Sequence, residues 1–289
     1  MATIWELDFY SRPILDDNGK KLWELLICES LTGIVSAGEE PFRYAEYCDN
    51  ANVNSLWIAE ALQRAIAKAG QTPDRIRFFR QSMNNMITKA CEDASLKAQP
   101  SRRTFEVSRW LQERMTTVYP EHPGYNAASN AAVVFPTTPP QRLPDALQGQ
   151  KWQIVSLEAR AFDDWNEWSI DFGESFPLKS AGIEPTTLIP GLIIYSPRAT
   201  AMAAWMSGLE IAAVNFDAEG RPCLVLETGV TDRWILTPLP TAELQAEAKA
   251  FETAKQTAQN VHFIALQTDP NTDRFAGFWM LRDVSLIGK

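Results

Sequence analysis

WELDFYSRPILDDNGKKLWELLICES, residues 5–30, alternates apolar and polar side chains on either side of a turn. Trp5, Leu7 and Phe9 fall on one face of an extended segment that runs to Leu15, and Glu6, Asp8 and Tyr10 fall on the other. Asp16-Asp17-Asn18-Gly19 has the residues a tight reversal needs, so residues 21–29 return as the second strand of a hairpin. On the hairpin, Trp5, Leu7 and Phe9 with Trp23, Leu25 and Ile27 supply cross-strand aromatic and aliphatic pairs. A third extended segment over 33–47, interrupted by Gly and Pro, makes three consecutive antiparallel strands.

Beyond this the period changes. Leu56, Ala59, Leu62 and Ile66 recur at helical spacing behind Asn54 or Ser55 as cap, with Gly70 as the stop signal. Residues 75–80 alternate again, with Ile76 and Phe78 opposite Arg75, Arg77 and Phe79. A helix over 83–96, a short strand over 103–107 and a helix over 108–118 complete the first half. Six prolines between Pro120 and Pro144 mark a linker or long surface loop. The second half reads as strands at 153–162, 169–176 and 191–195, a helix at 198–207, strands at 210–216, 222–228 and 233–238, a helix at 242–259, and strands at 261–267 and 275–282. The expected class is α+β, with mixed domains at 1–119 and 151–289 joined by 120–150. The first order, three antiparallel strands then αβαβα, resembles the ribonuclease H fold; the second contains an αβββαβ core, the order found in PD-(D/E)xK nucleases.

Neither half carries the matching chemistry. In the ribonuclease H arrangement, carboxylates on the first strand, in the first helix and at the end of the fourth strand hold metal ions. Asp8 and Glu60 match two of these positions, but the third falls in Arg80-Gln81-Ser82, where no carboxylate stands. Asp8 and Glu60 are therefore read as solvent-face acids. The acid-x-Lys triplet of the second nuclease type is missing at Arg233-Trp234-Ile235-Leu236, and Glu227-Thr228-Gly229 lacks the Lys. There is no GxxxxGK(S/T), GxGxxG or GxSxG motif. The four cysteines have no CxxC spacing, and the two histidines, His122 and His262, stand far apart. No catalytic residue, metal or cofactor is expected.

Charge is informative in its distribution. The chain carries a net −9, which opposes attraction to phosphate as a whole. Between Ala61 and Arg114, however, eleven basic residues face five acidic ones, a balance of +6 that leaves −15 elsewhere. Aromatics and amides are interleaved with these bases, a mixture that suits single-stranded RNA: cations neutralise phosphates, rings stack bases and amides read base edges. The candidate RNA-binding residues are Arg75, Arg77, Arg80, Gln81, Lys89, Arg102, Arg103 and Arg109. A solvated charged face with Phe78 in the core is the competing reading. No apolar stretch approaches the roughly 20 residues of a membrane span. The N-terminus, MATIWELDFY, lacks the pattern of a secretory signal or transit peptide.

Two stretches, WELDFYSRPILDDNGKKLWELLICES and FAGFWMLRD at 275–283, closely resemble the Tab-two (Atab-two) family of photosynthetic organisms. The resemblance runs from end to end. It implies an RNA-binding protein that supports photosystem I biogenesis, with A/U-rich single-stranded RNA as the expected ligand, translation as the expected process, and photosystem I assembly or translation proteins as further partners. It implies the cytosol of a cyanobacterium, or the stroma for a mature chloroplast homologue. It supplies no catalytic residues. Within the signatures, Arg12, Trp279 and Arg282 are expected to reach a surface, although a buried ion pair with nearby acids is an equal alternative for the arginines. Two other functions compete: an assembly factor that binds protein through the aromatic and acidic segment 163–168 without RNA, and a metal-dependent nuclease.

Overall fold

The opening hairpin forms as strands β1 (Ile4–Leu15) and β2 (Lys21–Glu29), with Leu7 opposite Ile27 and Phe9 opposite Leu25. Its turn closes through the Asp16 carboxylate, which accepts from the N–H groups of Asn18 and Lys20, and through Gly19 at φ 73°. The computed structural model describes residues 3–31, 41–129, 138–179 and 181–283, which belong to two compact units divided between residues 129 and 138. The part of the expected third strand that falls in 32–40 lies outside the described residues.

In the first unit, β3 (Arg43–Cys48) pairs antiparallel to β2, while β4 (Arg75–Phe78) and β5 (Ala98–Pro100) add in parallel beside β1. The sheet order is β3-β2-β1-β4-β5. Helix α1 (Ser55–Ala69) starts where the Asn54 side chain accepts from the Trp57 N–H at 2.9 Å, and it ends at Gly70 in the left-handed region. With α2 (Asn84–Asp93) it covers one sheet face, burying Trp5, Leu7, Phe9, Ile58, Leu62, Ile76 and Phe78. Helix α3 (Phe105–Thr117) lies on the opposite face, where Leu26, Cys28, Phe79, Val107 and Trp110 are buried. Both faces of β1 and β4 are thus dry, as is usual for strands with parallel neighbours.

The expected strand at 103–107 is replaced by the start of α3. Thr104 contributes no side-chain cap. The cap comes instead from Glu6 on β1, whose Oε2 accepts from the N–H groups of Glu106 at 2.8 Å and Val107 at 3.0 Å. A carboxylate at these orphan donors favours a helix beginning here over a strand. Residues after α3 bond back to the sheet: the Leu15 N–H donates to Gly124 O and the Asn126 N–H to Pro13 O.

In the second unit, β6 (Gln141–Arg142) joins a four-stranded sheet of order β10-β11-β12-β6. Its other members are β10 (Ile211–Asp217), β11 (Cys223–Thr228) and β12 (Asp232–Pro238). A five-stranded sheet has the order β7-β9-β13-β14-β8 and is built from β7 (Lys151–Glu158), β8 (Ile170–Glu174), β9 (Leu188–Tyr195), β13 (Val261–Gln267) and β14 (Phe275–Arg282). Helices α4 (Ala199–Ser207) and α5 (Ala242–Thr257) contribute Met202, Met206, Ala248 and Phe251 to a core with both sheets. The αβββαβ order is present along the chain, but β13 leaves β10–β12 and pairs with β9 and β14.

The outer edge of β10 is closed by side chains. His262 Nε2 accepts from the Val214 N–H at 2.9 Å, Lys255 Nζ donates to Val214 O at 2.7 Å, and Glu252 accepts from the Phe216 N–H at 2.8 Å. An edge so occupied offers no template to another strand. Burial, with Lys255 nearby, keeps the His262 pKa well below its ordinary value, consistent with a neutral ring. All four cysteines are buried free thiols. Among the described residues no helix is long and apolar enough to cross a membrane.

Candidate nucleic-acid interface

In an open sheet with parallel strands, ligands meet the carboxyl ends of those strands. At that end of the first unit Arg80 and Gln81 follow β4, Arg102 and Arg103 follow β5, and Asp8 and Tyr10 pass alongside on β1. Asp8 is fully buried. It is held by Arg80, whose Nη2 lies 3.2 Å from Oδ2, and by Arg12 Nη1 at 2.9 Å. Burial acts to raise the Asp8 carboxyl, but the Arg80 and Arg12 guanidiniums outweigh it and hold the group below the ordinary aspartate range. Arg80 also lies over the Tyr10 ring, 4.0 Å from its centroid.

The network continues inward. Arg12 Nε donates to Glu24 at 3.0 Å, the Tyr119 hydroxyl donates to Glu24 at 2.5 Å, and Arg114 pairs with the same carboxylate. Asp8 is therefore not a solvent-face acid, and its oxygens are occupied by cations where a metal ligand would need them open. Arg80 stands at the position of the missing third carboxylate and bonds to the first. Glu60, by contrast, is exposed, with Arg64 at 4.0 Å. Among the described residues no three His, Cys, Asp or Glu side chains are grouped to hold a metal ion.

Of the eight candidate RNA-binding residues, Arg77, Arg80 and Arg103 are buried, at 1%, 7% and 1% exposure. Their expected outward direction fails because α3 covers the second face of the sheet. Arg77 instead lies within the field of Glu6. Gln81, Lys89 and Arg109 are exposed, and Arg75 and Arg102 partly so. Lys89 is paired with Asp93, and Arg109 with Glu106 at 2.5 Å. Gln81 and Arg102 share the carboxyl edge, whereas Arg75 opens β4, at the opposite end of a strand about 10 Å long at roughly 3.3 Å per residue. The candidates thus do not form one patch.

Two of the three signature residues expected at a surface are also corrected. Arg12 is buried in the ion-pair network, the alternative left open for it, and Trp279 is buried in the core of the second unit. Arg282 is partly exposed at the end of β14. Sequence reading missed Glu6, Glu24, Arg114 and Tyr119. The available signal was three acids, Glu6, Asp8 and Glu24, inside strands otherwise rich in Trp, Leu and Phe; a covered second face would force them into pairs.

Both units match family models. Residues 4–114 match the N-terminal model of the RNA-binding protein Tab2/Atab2, and residues 130–282 match its C-terminal domain. The chain belongs to the Tab2/Atab2 family. It is 39% identical over 288 residues to the chloroplastic protein TAB2 homolog of Arabidopsis thaliana, covering 97% of this chain and 74% of the relative. It is 40% identical to the chloroplastic TAB2 homolog of Zea mays, covering 97% of this chain and 71% of that relative. No solved structure matches. The Tab2/Atab2 signature segments map onto β1–β2 and onto β14, central strands that organise the two units, so their aromatic content is accounted for largely by packing.

Proposed function

We propose that this member of the Tab2/Atab2 family binds single-stranded RNA, A/U-rich in composition, and supports photosystem I biogenesis at translation without catalysing a reaction. Family membership of both units is the observation that carries the reading. The strand order β3-β2-β1-β4-β5 supports a ribonuclease-H-like scaffold for the first unit. Occupation of Asp8 by two guanidiniums supports a non-catalytic one. RNA contact is assigned to the accessible residues at the carboxyl edge and the start of α3, Gln81, Arg102 and Arg109, with Arg75 and Lys89 as outlying phosphate contacts. The site of action is the cyanobacterial cytosol or, in a chloroplast, the stroma.

Filter binding of a labelled A/U-rich oligonucleotide over a salt series tests this. Each phosphate contact on a single strand contributes about 0.7 to the slope of log affinity against log salt. The Arg102→Ala, Arg109→Ala double variant is expected to lower that slope by about 1.4 and to weaken binding. Unchanged affinity and slope in the folded variant would remove the assigned surface. Cleavage of the RNA with Mg²⁺ or Mn²⁺, lost on Glu60→Gln, would overturn the non-catalytic reading.

A further inference from the structure

Residues 159–168 cross one face of the five-stranded sheet, from the end of β7 at one edge to the start of β8 at the other. Phe162 anchors the crossing: it is buried, 5.5 Å from the Phe263 ring and 6.0 Å from Phe278. Trp165 leans on Phe278 at 5.9 Å, and Trp168 stacks on Phe275 at 5.7 Å and an interplanar angle of 24°. Both tryptophans remain partly exposed, while Asp163, Asp164, Asn166 and Glu167 between and beside them are exposed. The rings are thus fixed from below by other rings, and the acids form the outer layer.

The charge around these rings is one-sided. Residues 158–174 contain six acids, Glu158, Asp163, Asp164, Glu167, Asp171 and Glu174, and one base, Arg160. Arg160 is paired with Glu158, and the neighbouring cations Lys179 and Arg274 face Asp163 and Asp171. Among the described residues Asp164 and Glu167 have no ion pair, and they flank Trp165. A partly open indole between two unpaired carboxylates suits a guanidinium or ammonium group, which can lie on the ring while bonding to the acid. The same field repels phosphates.

We propose that this acidic and aromatic crossing segment is a docking surface for an arginine- or lysine-rich segment of a partner protein, separate from the RNA-contacting residues of the first unit. The rigid aromatic floor lowers the ordering cost of binding, since Trp165 and Trp168 are held before the partner arrives. Asp164 and Glu167 supply direction and rate by charge complementarity. The partner needs no apolar groove, only spaced cations with aliphatic stems that can cover the indoles.

The test is calorimetric titration of the full chain with a 12-residue peptide of alternating Arg and Ala, with an A/U-rich RNA oligonucleotide as the competing ligand. The Asp164→Asn, Glu167→Gln variant changes only exposed groups and is expected to lose about tenfold in peptide affinity while RNA affinity holds or rises. Trp165→Ala is expected to lose about fivefold at unchanged charge. A control that removes two distant exposed acids, Glu219→Gln with Glu247→Gln, is expected to change peptide affinity less than twofold. Equal losses in the control and in the Asp164, Glu167 variant would reduce the binding to net-charge attraction and overturn the proposal. A loss of RNA rather than peptide binding on Trp165→Ala would overturn it in favour of a base-stacking platform.

Discussion

Replacing Asp8 by Asn keeps the side-chain shape and removes one charge from between two buried guanidiniums. Arg12 retains Glu24 as a partner at 3.0 Å, but Arg80, 7% exposed, loses the carboxylate that holds it. Removing one partner from a buried ion pair costs about 3–5 kcal/mol, and the surviving Arg12–Glu24 pair places the expected loss near the lower figure, about 3 kcal/mol. That is a large part of the roughly 5–15 kcal/mol that holds an ordinary domain together. Because the folded-state pKa of Asp8 is lowered, its contribution is present at neutral pH and is lost as pH falls below the ordinary aspartate value of about 3.9 and through the folded one. Urea unfolding read by hydrogen exchange in β1 and β4 peptides follows the first unit alone. The wild type and Asp8→Asn should differ by about 3 kcal/mol at pH 7 and converge at strongly acid pH. The Asp8→Leu, Arg80→Met double variant, which removes both charges, should be more stable than Asp8→Leu alone. A cost below about 1 kcal/mol at pH 7, or strict additivity of the two substitutions, would refute the argument that this pair organises the carboxyl edge.

Burial pushes the Glu6 carboxyl up to about 7, against the Val107 amide and Ser30 hydroxyl that favour its charged form. The folded protein therefore holds a proton that the unfolded chain releases near 4.5, and Glu6 should lower stability by about 1.4 kcal/mol per pH unit between those values. Glu6→Gln, which can still accept from the α3 amides, should abolish that slope in pH-dependent urea unfolding. Lys255→Met strips the Val214 carbonyl of its donor and leaves Glu252 without its cation; a loss of about 2–4 kcal/mol, with faster hydrogen exchange in β10, is expected. Gly191→Ala would set a Cβ 2.1–2.3 Å from the Phe263 ring, so thermal denaturation should show about 1–3 kcal/mol of destabilisation from overpacking. Phe263 stacks on Phe278 at 5.1 Å, and movement of this pair should also perturb the indole signals of Trp165 and Trp168.

What the sequence determined by itself is local or periodic. The Asp16–Gly19 turn, the helix start at Asn54 or Ser55 and the Gly70 stop depend on residues within four positions of one another, and each could be named from the chain. The α+β order and the long signature segments were legible for the same reason, since they lie along the chain. Tertiary structure decided what depends on which face is covered. Arg77 and Arg103 look like surface cations on an alternating pattern until α3 closes the second side of the sheet. The start of α3 depends on Glu6, a hundred residues away, and the role of Arg80 depends on Asp8, seventy-two residues away. Alternation sorts side chains into two faces but carries no information about what lies on either. A buried charge is therefore recognisable only when its partner has been brought in by the fold.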